Sequence, residues 1–478
     1  MKSKWGLLLV SYLIFYYLLI SLVSINRWRQ YEVYYYDHGI FDHALWKAAH
    51  FQLPLIDHLE SKPLLQLGDH FTPGMYILSS AYWTTSSYEA IFWIQNLFVI
   101  GSAWILSRIS WRNTQNRFFT AAVIFSYTWF IGMQNAIIAG FHTELPGLLF
   151  LSLVLDALDR KMWRWFGIWL FCLLLMKESF VAIAAGLGVY LFFQKRYRLG
   201  FITIVGSTVY YMLVTRYLMP ILAGRAYEYT NQISFSPSLI TDFFIPSIKI
   251  KTVAVSLLTY GLLPLLTPSY LPVIFQDWYI RFVLQAGAAR QDLGMHYNAM
   301  VGLLLAYGAV LGGKKLIHNF QLPIFKQTVL LCLSIILFGT NIYFHQIKFH
   351  GPLGLGYNPA FYRHSDNFEF LNKLIEAVPE KGLVMTQNNL AVKMTHKHQL
   401  MLLRSGYWEY MPDYLVLDIR DGQNPNNYWP LPTFEWKELY SRLSLDPNYS
   451  MEAIGEEQVI FVKKTEVNDS WYEQFKEI

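Results

Sequence analysis

The feature that leaves this chain fewest choices is the recurrence of predominantly apolar runs about 20 residues long, the length an α-helix needs to cross a bilayer. Trp5 to Ile25 is the first, Tyr88 to about Ser107 the second and roughly Phe118 to Ile138 the third. Within hydrocarbon each backbone N–H and C=O must be paired internally, so runs of this kind form helices. Composition agrees. Charged residues make up 15% of the chain and hydrophobic residues 54%, whereas soluble domains carry about 25% charged residues. The net charge of +5 comes mainly from Lys and Arg in short loops, the pattern of membrane orientation and not of nucleic-acid binding. Cys172 and Cys332 both lie inside apolar runs, which argues against a disulfide framework or a cysteine metal site.

Lys2 and Lys4 precede the first run and no small-x-small cleavage site closes it, so it reads as an uncleaved span with its N-terminus in the cytoplasm. Arg108, Arg112 and Arg117 follow the second span. Arg160, Lys161 and Arg164 follow the fourth, Leu145 to about Leu158. Trp165 to Met176 and Ser179 to Phe193 flank Lys177-Glu178, and each is about 20 Å long as a helix. Lys195, Arg196 and Arg198 close this stretch, so the positive-inside rule favours two short spans over one long helix. Further spans near 201–219, 252–267, 271–285, 297–311 and 328–344 bring the total to about eleven. An odd number places the C-terminal part of the chain outside.

Between the first two spans, residues 26–87 read as an outer loop with interfacial helices. Its opening stretch, Tyr34 to His50, is YYYDHGIFDHALWKAAH. Ile40, Phe41, Ala44, Leu45 and Ala48 recur at helical spacing, which predicts an amphipathic helix lying on the membrane surface. His38, Asp42, His43 and Lys47 fall largely on its other face. Asp37 stands just ahead, either as an N-cap or as a carboxylate reaching into a cleft. Met75 to Trp83 is too short to span and reads as re-entrant or interfacial. From about His345 apolar residues come in short runs, predicting a small extracytoplasmic α/β domain. Its elements are a helix over Phe368–Val378 and strands at Gly382–Met385, Leu400–Leu403, Tyr414–Leu417 and Val459–Val462. It has no glycine-rich phosphate loop and no nucleophile elbow, and reads as a packing, acceptor-binding or partner-binding domain. The chain thus divides at residue 344 into a membrane part, 1–344, and an outer domain, 345–478.

The stretches GIFDHALW, HFTP, FHTELPGLLFLSLVLDAL, KES and MHYNAM together resemble one family, in order and over nearly the whole chain. It is the bacterial and archaeal predicted membrane family labelled domain of unknown function 2079. His43 stands where that family usually has Gln, Thr143 where it has Pro, and Ser179 where it has an acidic residue. The family in turn resembles the GT-C superfamily of polyprenyl-phosphate-sugar glycosyltransferases, which carry an acidic motif in the first outer loop. The likeness implies a polytopic α-helical, GT-C-like membrane protein. It also implies an activity, transfer of a sugar from a polyprenyl-phosphate donor to an acceptor glycan, lipid or protein on the extracytoplasmic face. This is an analogy of architecture, and fold alone does not settle function.

Such chemistry needs a carboxylate to take the acceptor's proton and positive groups to stabilise the departing lipid phosphate. The resemblance puts Asp37 in the position of the base and makes Asp42 the second candidate, as an orienting or metal-contacting group. His70, His142, Glu144, Lys177, Glu178 and His296 all fall at outer ends of the expected spans. Lys177 suits a phosphate, since an ammonium between apolar helices needs an anion nearby. An ion pair with Glu178 or Glu144 would meet the same need. His70 and His296 read first as hydrogen-bonded structural histidines. A divalent metal held by His142, Glu144 and Asp37 stays open, because mixed ligands two residues apart are weak evidence. Trp46 and Tyr36 read first as belt aromatics and second as stacking partners for a sugar. Two other classes stand beside the transferase. One is a non-catalytic membrane or envelope assembly protein. The other is a transporter, which the gathering of charges at outer ends and the lack of repeats disfavour.

Overall fold

The computed structural model describes residues 4–60, 62–229, 238–284, 287–318, 321–432, 434–466 and 471–472. Met1, Lys2 and Ile478, on which the expected placement of the two ends rests, lie outside them. The chain forms two compact units. One comprises Met1–Ser24, Leu67–Ile77 and Phe92–Tyr357; the other comprises Ile25–Gln66, Leu78–Ile91 and Asn358–Ile478. Most of the stretch read as a loop of the membrane part therefore belongs to the unit that holds the C-terminal strands.

The first unit is helical. Among the described residues, five helices are long and apolar enough to cross a membrane: Lys4–Arg29, Ala90–Thr114, Tyr197–Ala223, Asn298–His318 and Pro323–Lys348. A sixth span is made by Arg117–Trp129 and Ile131–Ile138, which meet at a 46° bend. Phe130 leaves the helical region there (ψ 125°), and the Gln134 side-chain amide donates to the freed Trp129 carbonyl at 2.7 Å. A polar side chain thus does for the broken backbone what water cannot do in a bilayer. Other apolar runs form shorter helices at Glu144–Asp159, Trp163–Leu174, Val181–Phe193, Ile248–Thr259 and Leu271–Tyr279. Leu7, Leu8, Ile14, Phe15 and Leu18 on the first helix, and Phe201, Ile202, Val209 and Met212 on Tyr197–Leu213, are exposed. Apolar bands of that extent on single helices are surfaces for lipid. The chain is a multi-pass membrane protein.

Helix Asn298–His318 differs, being buried almost all round. Small residues let its neighbours close in. At Gly312 an added Cβ would lie 2.0 Å from the Leu263 carbonyl oxygen, whereas at Gly339 it would meet nothing within 4 Å.

The second unit is built on a five-stranded mixed sheet of order β4-β3-β5-β7-β6, preceded in the chain by a two-stranded hairpin of β1 (Leu55–Ile56) and β2 (Leu64–Leu65). Strands β3 (Leu383–Thr386), β4 (Gln399–Leu402) and β5 (Tyr414–Asp418) run parallel, with Met385 opposite both Met401 and Leu415. Strands β6 (Tyr449–Ala453) and β7 (Gln458–Lys463) close the sheet antiparallel. Alternation sends Met385, Met401, Leu415, Leu417 and Phe461 into one core. Leu439 and Leu443 of helix Glu435–Leu445 join it. The four expected strands and the helix near 369 are present within two residues of their expected ends. β6 and helix Glu435–Leu445 were not foreseen.

The Gly312 contact yields a prediction. Gly312→Ala must push the helix off Leu263 and should lower the thermal midpoint in detergent, overpacking typically costing about 1–3 kcal/mol. Gly339→Ala should leave it unchanged or slightly raised. Equal midpoints for the two variants would show that the close approach does not matter.

Candidate functional site

The polar residues singled out by sequence fall into two clusters, one in each unit. In the helical unit they sit where helices break. Helix Glu144–Asp159 begins at Glu144, an acid in the first turn, where the helix N-terminus favours negative charge. Lys177 is extended (φ −167°, ψ 137°) at the break before the 3-10 turn Glu178–Phe180 and helix Val181–Phe193. Its Nζ donates to Glu144 Oε1 at 2.7 Å, and both side chains are buried. His296 Nε2 lies 3.8 Å from the same oxygen, and the His142 and His296 rings stack with centroids 3.6 Å apart. On the other side of Lys177, Glu178 accepts from His70 Nδ1 at 3.0 Å, from the Phe71 amide at 3.0 Å and from the Tyr227 hydroxyl at 3.2 Å. All six helical-unit candidates thus belong to one network.

Its charges balance. Burial pulls the Lys177 ammonium down, but Glu144 and Glu178 on either side outweigh it and hold it protonated. Burial likewise lowers His70, and Asp69 and Glu178 reverse the sign, so its pKa is raised. His296 stays neutral, with burial first and His142 second pushing its pKa well below the usual value. Lys177 therefore sits in the ion pair that its sequence context allowed. His142, Glu144 and His296 bring ligand atoms within 4.8 Å of one another. Lys177 occupies Glu144 Oε1 and leaves Oε2 without a hydrogen-bond partner among the described residues, but the stacked imidazoles lie nearly parallel, at 16°. Lone pairs in parallel planes do not converge on one ion, so the arrangement is that of an ion pair flanked by two imidazoles.

In the second unit the chain after the first helix makes one turn of π-helix, Tyr35–Gly39, and then helix Ile40–Ala49. Asp37 lies within that π turn and is no N-cap. Gly39 is needed there, since a Cβ would come 2.7 Å from the Tyr35 ring. The polar face of the helix, expected to meet water, is buried at Asp42 and His43. Burial keeps His43 neutral and pulls Lys47 down to about 8, while Lys47 Nζ donates to the Leu55 carbonyl at 2.6 Å.

Asp42 has no solvent exposure. Tyr82 and Thr395 donate hydroxyls to its two oxygens, and His396 Nε2 lies 3.1 Å from Oδ2. Burial raises its pKa, but His396 overcomes this and holds it at about 2. Trp46 and Tyr88 sandwich the His396 ring at 4.0 and 3.8 Å. Trp46 thus has that face taken by His396, and Tyr36 lies against His58 and Trp429. Asp57 receives the Leu402 amide at 2.7 Å and pairs with Arg404. Nothing in the sequence marked Tyr82, Thr395, His396 or Arg404, because Thr395 and His396 stand 353 and 354 residues beyond Asp42.

Asp37 contrasts with all of these. It is partly exposed, and it has no hydrogen-bond or ion-pair partner among the described residues. Its turn is held by the Tyr36 amide, which donates to Asn388 Oδ1 at 2.9 Å. A carboxylate with free lone pairs on a fixed turn can accept a proton; Asp42, with its oxygens already bonded, is a structural anchor in this arrangement.

Apolar helices of spanning length with a buried charge network between them define a polytopic membrane protein, and its fold is GT-C-like. The chain belongs to the family described as predicted membrane protein (DUF2079), whose profile matches residues 32–460. No curated protein matches the sequence. Among solved structures it is similar to ArnT from Cupriavidus metallidurans bound to undecaprenyl phosphate, with TM-score 0.57 and 11% identity over 97% of this chain and 99% of that one. The apo form of the same protein gives TM-score 0.54 and 11% identity over 96% and 97%.

The Lys177–Glu144 pair can be tested directly. Lys177→Met leaves a buried carboxylate without its cation, which typically costs about 3–5 kcal/mol, so the variant should accumulate poorly and melt early. Lys177→Met with Glu144→Gln removes both charges and should recover most of the loss. A double variant as unstable as the single one would show that the pair is not what holds these helices.

Proposed function

We propose that this protein is a membrane glycosyltransferase that moves a sugar from a polyprenyl-phosphate donor to an acceptor on the extracytoplasmic face, with Asp37 as general base. The observation that carries this reading is the open carboxylate of Asp37. Of the acids Asp37, Asp42, Glu144 and Glu178, it alone has no bonded partner among the described residues. The likeness over 97% of the chain to an ArnT structure that holds undecaprenyl phosphate supports the donor class. In the proposed reaction the acceptor hydroxyl or amide attacks the anomeric carbon and the bond to the lipid phosphate breaks. The acceptor proton passes to Asp37. Positive groups are then needed at the leaving phosphate. Lys177 and His70, whose pKa is raised by Asp69 and Glu178, are the basic groups of the helical network suited to it, the first on condition that phosphate competes with Glu144. The same reading has Met1 inside and Ile478 outside.

Asp37→Asn keeps the size of the side chain and removes its ability to accept a proton. It should fold and bind donor normally while transfer falls about 10²–10⁴-fold. Asp42→Asn should instead show as lost stability. Wild-type transfer or complementation by Asp37→Asn would end the catalytic assignment and favour the assembly-protein reading.

Orientation has its own test. A C-terminal reporter that works only in the cytoplasm should stay silent. Activity would mean that one span is miscounted, first of all within Trp165 to Phe193.

A further inference from the structure

Beside the turn that carries Asp37, the second unit contains an open cleft of about 660 Å³, within the size range of small-molecule sites. Its place in the sheet is informative. Strand β3 pairs with β4 on one side and with β5 on the other, all parallel, so the order of strands reverses between β3 and β5. In open parallel sheets, ligands bind at the carboxyl ends of the strands flanking such a reversal. The cleft is lined there by Asn389, which follows β3, and by the segment Arg420–Asn427, which follows β5.

The lining chemistry narrows the ligand. Asn389, Gln423, Asn424, Asn427 and Gln30 line the cleft with side-chain amides. Gln423 is taken up by Asp418, Arg420 and Asn427, and Gln30 bonds Phe361. Asn424 and Asn427 keep capacity beyond their single side-chain bonds to the Asn426 amide and to Gln423, enough to meet a hydroxyl in both its roles. Asn389 is 2% exposed, and its Oδ1 has no hydrogen-bond partner among the described residues. Such an oxygen is costly to bury unless something donates to it. Tyr31, Tyr34 and Phe368 add aromatic surface. The charged lining residues are two guanidiniums, Arg27 and Arg420, against three carboxylates, Glu32, Asp421 and Glu457. That balance disfavours a phosphate or another anion. Asn388 ties the cleft to the turn: its Oδ1 holds the Tyr36 amide at 2.9 Å, while its Nδ2 donates to the Asn426 carbonyl at 3.2 Å.

We propose that this cleft binds an uncharged polyhydroxylated group, a sugar ring, as the acceptor subsite next to Asp37. Its role as an acceptor subsite rests on the transferase reading; its affinity for a sugar does not.

The test uses the full chain in lipid nanodiscs and a panel of methyl glycosides of mannose, glucose, galactose and N-acetylglucosamine, read by saturation-transfer NMR. At least one glycoside should receive saturation. Asn389→Ala and Asn427→Ala should each weaken it about five- to ten-fold, the loss expected for one hydrogen bond, with the thermal midpoint kept. Asn427 is partly exposed, so its variant remains informative if Asn389→Ala fails to fold. No saturation of any glycoside, equal binding by both variants, or displacement of the glycoside by inorganic phosphate would each overturn the proposal. Glycoside binding without any detectable transfer keeps the sugar site and sinks the transferase. Transfer with an unchanged acceptor KM in both variants does the reverse.

Discussion

One ionised carboxylate kept from water organises the unit that carries the C-terminal sheet. Asp42 has no exposure, and a charge in such a place is tolerated only when donors surround it. Those donors come from two other parts of the chain, Tyr82 and the Thr395–His396 pair. Satisfying one side chain therefore ties helix Ile40–Ala49 to the loop before β4. Asp57 repeats the device one step along, bonding the Leu402 amide of β4 and Arg404 just beyond it. Together they explain why residues 25–66 fold with the sheet and not with the apolar helices that flank them in sequence.

This also explains how much could be read in advance. Spans were legible because an unbroken apolar run leaves the backbone one way to pair its groups. The strands of the C-terminal sheet were legible where both faces are buried, as in Leu415–Leu417. β6 was not: Ser450 to Ala453 are exposed, and the strand exists through its pairing with β7. Helix Glu435–Leu445 shows only three buried positions, Trp436, Leu439 and Leu443, among charged neighbours. At the site, the helical network was legible as residue types at helix ends. The partners of Asp42 were not, since pairing over more than three hundred residues leaves no periodicity. Amphipathicity misled at that helix because burial of a polar face by donors looks, in sequence, the same as its hydration.

The two clusters handle charge in different ways. In the helical unit Lys177 stands between Glu144 and Glu178, with His70 against the latter, so each charge has its opposite within reach, although Glu144 Oε2 and His296 Nδ1 have no hydrogen-bond partner among the described residues. Buried charges paired in this way resist rearrangement, because moving one member strands another. Under the proposed function this sets a condition on donor binding. A lipid phosphate can gain Lys177 only by giving Glu144 another partner, and the imidazole of His296 lies 3.8 Å from the same oxygen.

The choice between the two early aspartates follows from the same accounting of lone pairs. A general base must have an oxygen free to receive a proton in the transition state. Asp42 spends its oxygens on Tyr82, Thr395 and His396, and the last of these holds it near 2, far too weak a base for a sugar hydroxyl. Asp37 is five residues earlier, within the π turn Tyr35–Gly39 that leads into the helix of Asp42. Asn388 pins the backbone of that turn at the Tyr36 amide. The buried aspartate fixes the helix that follows the turn carrying the open one. Under the proposed function the two acids, five apart and too distant to pair on one helix face, would have separate tasks, one structural and one chemical.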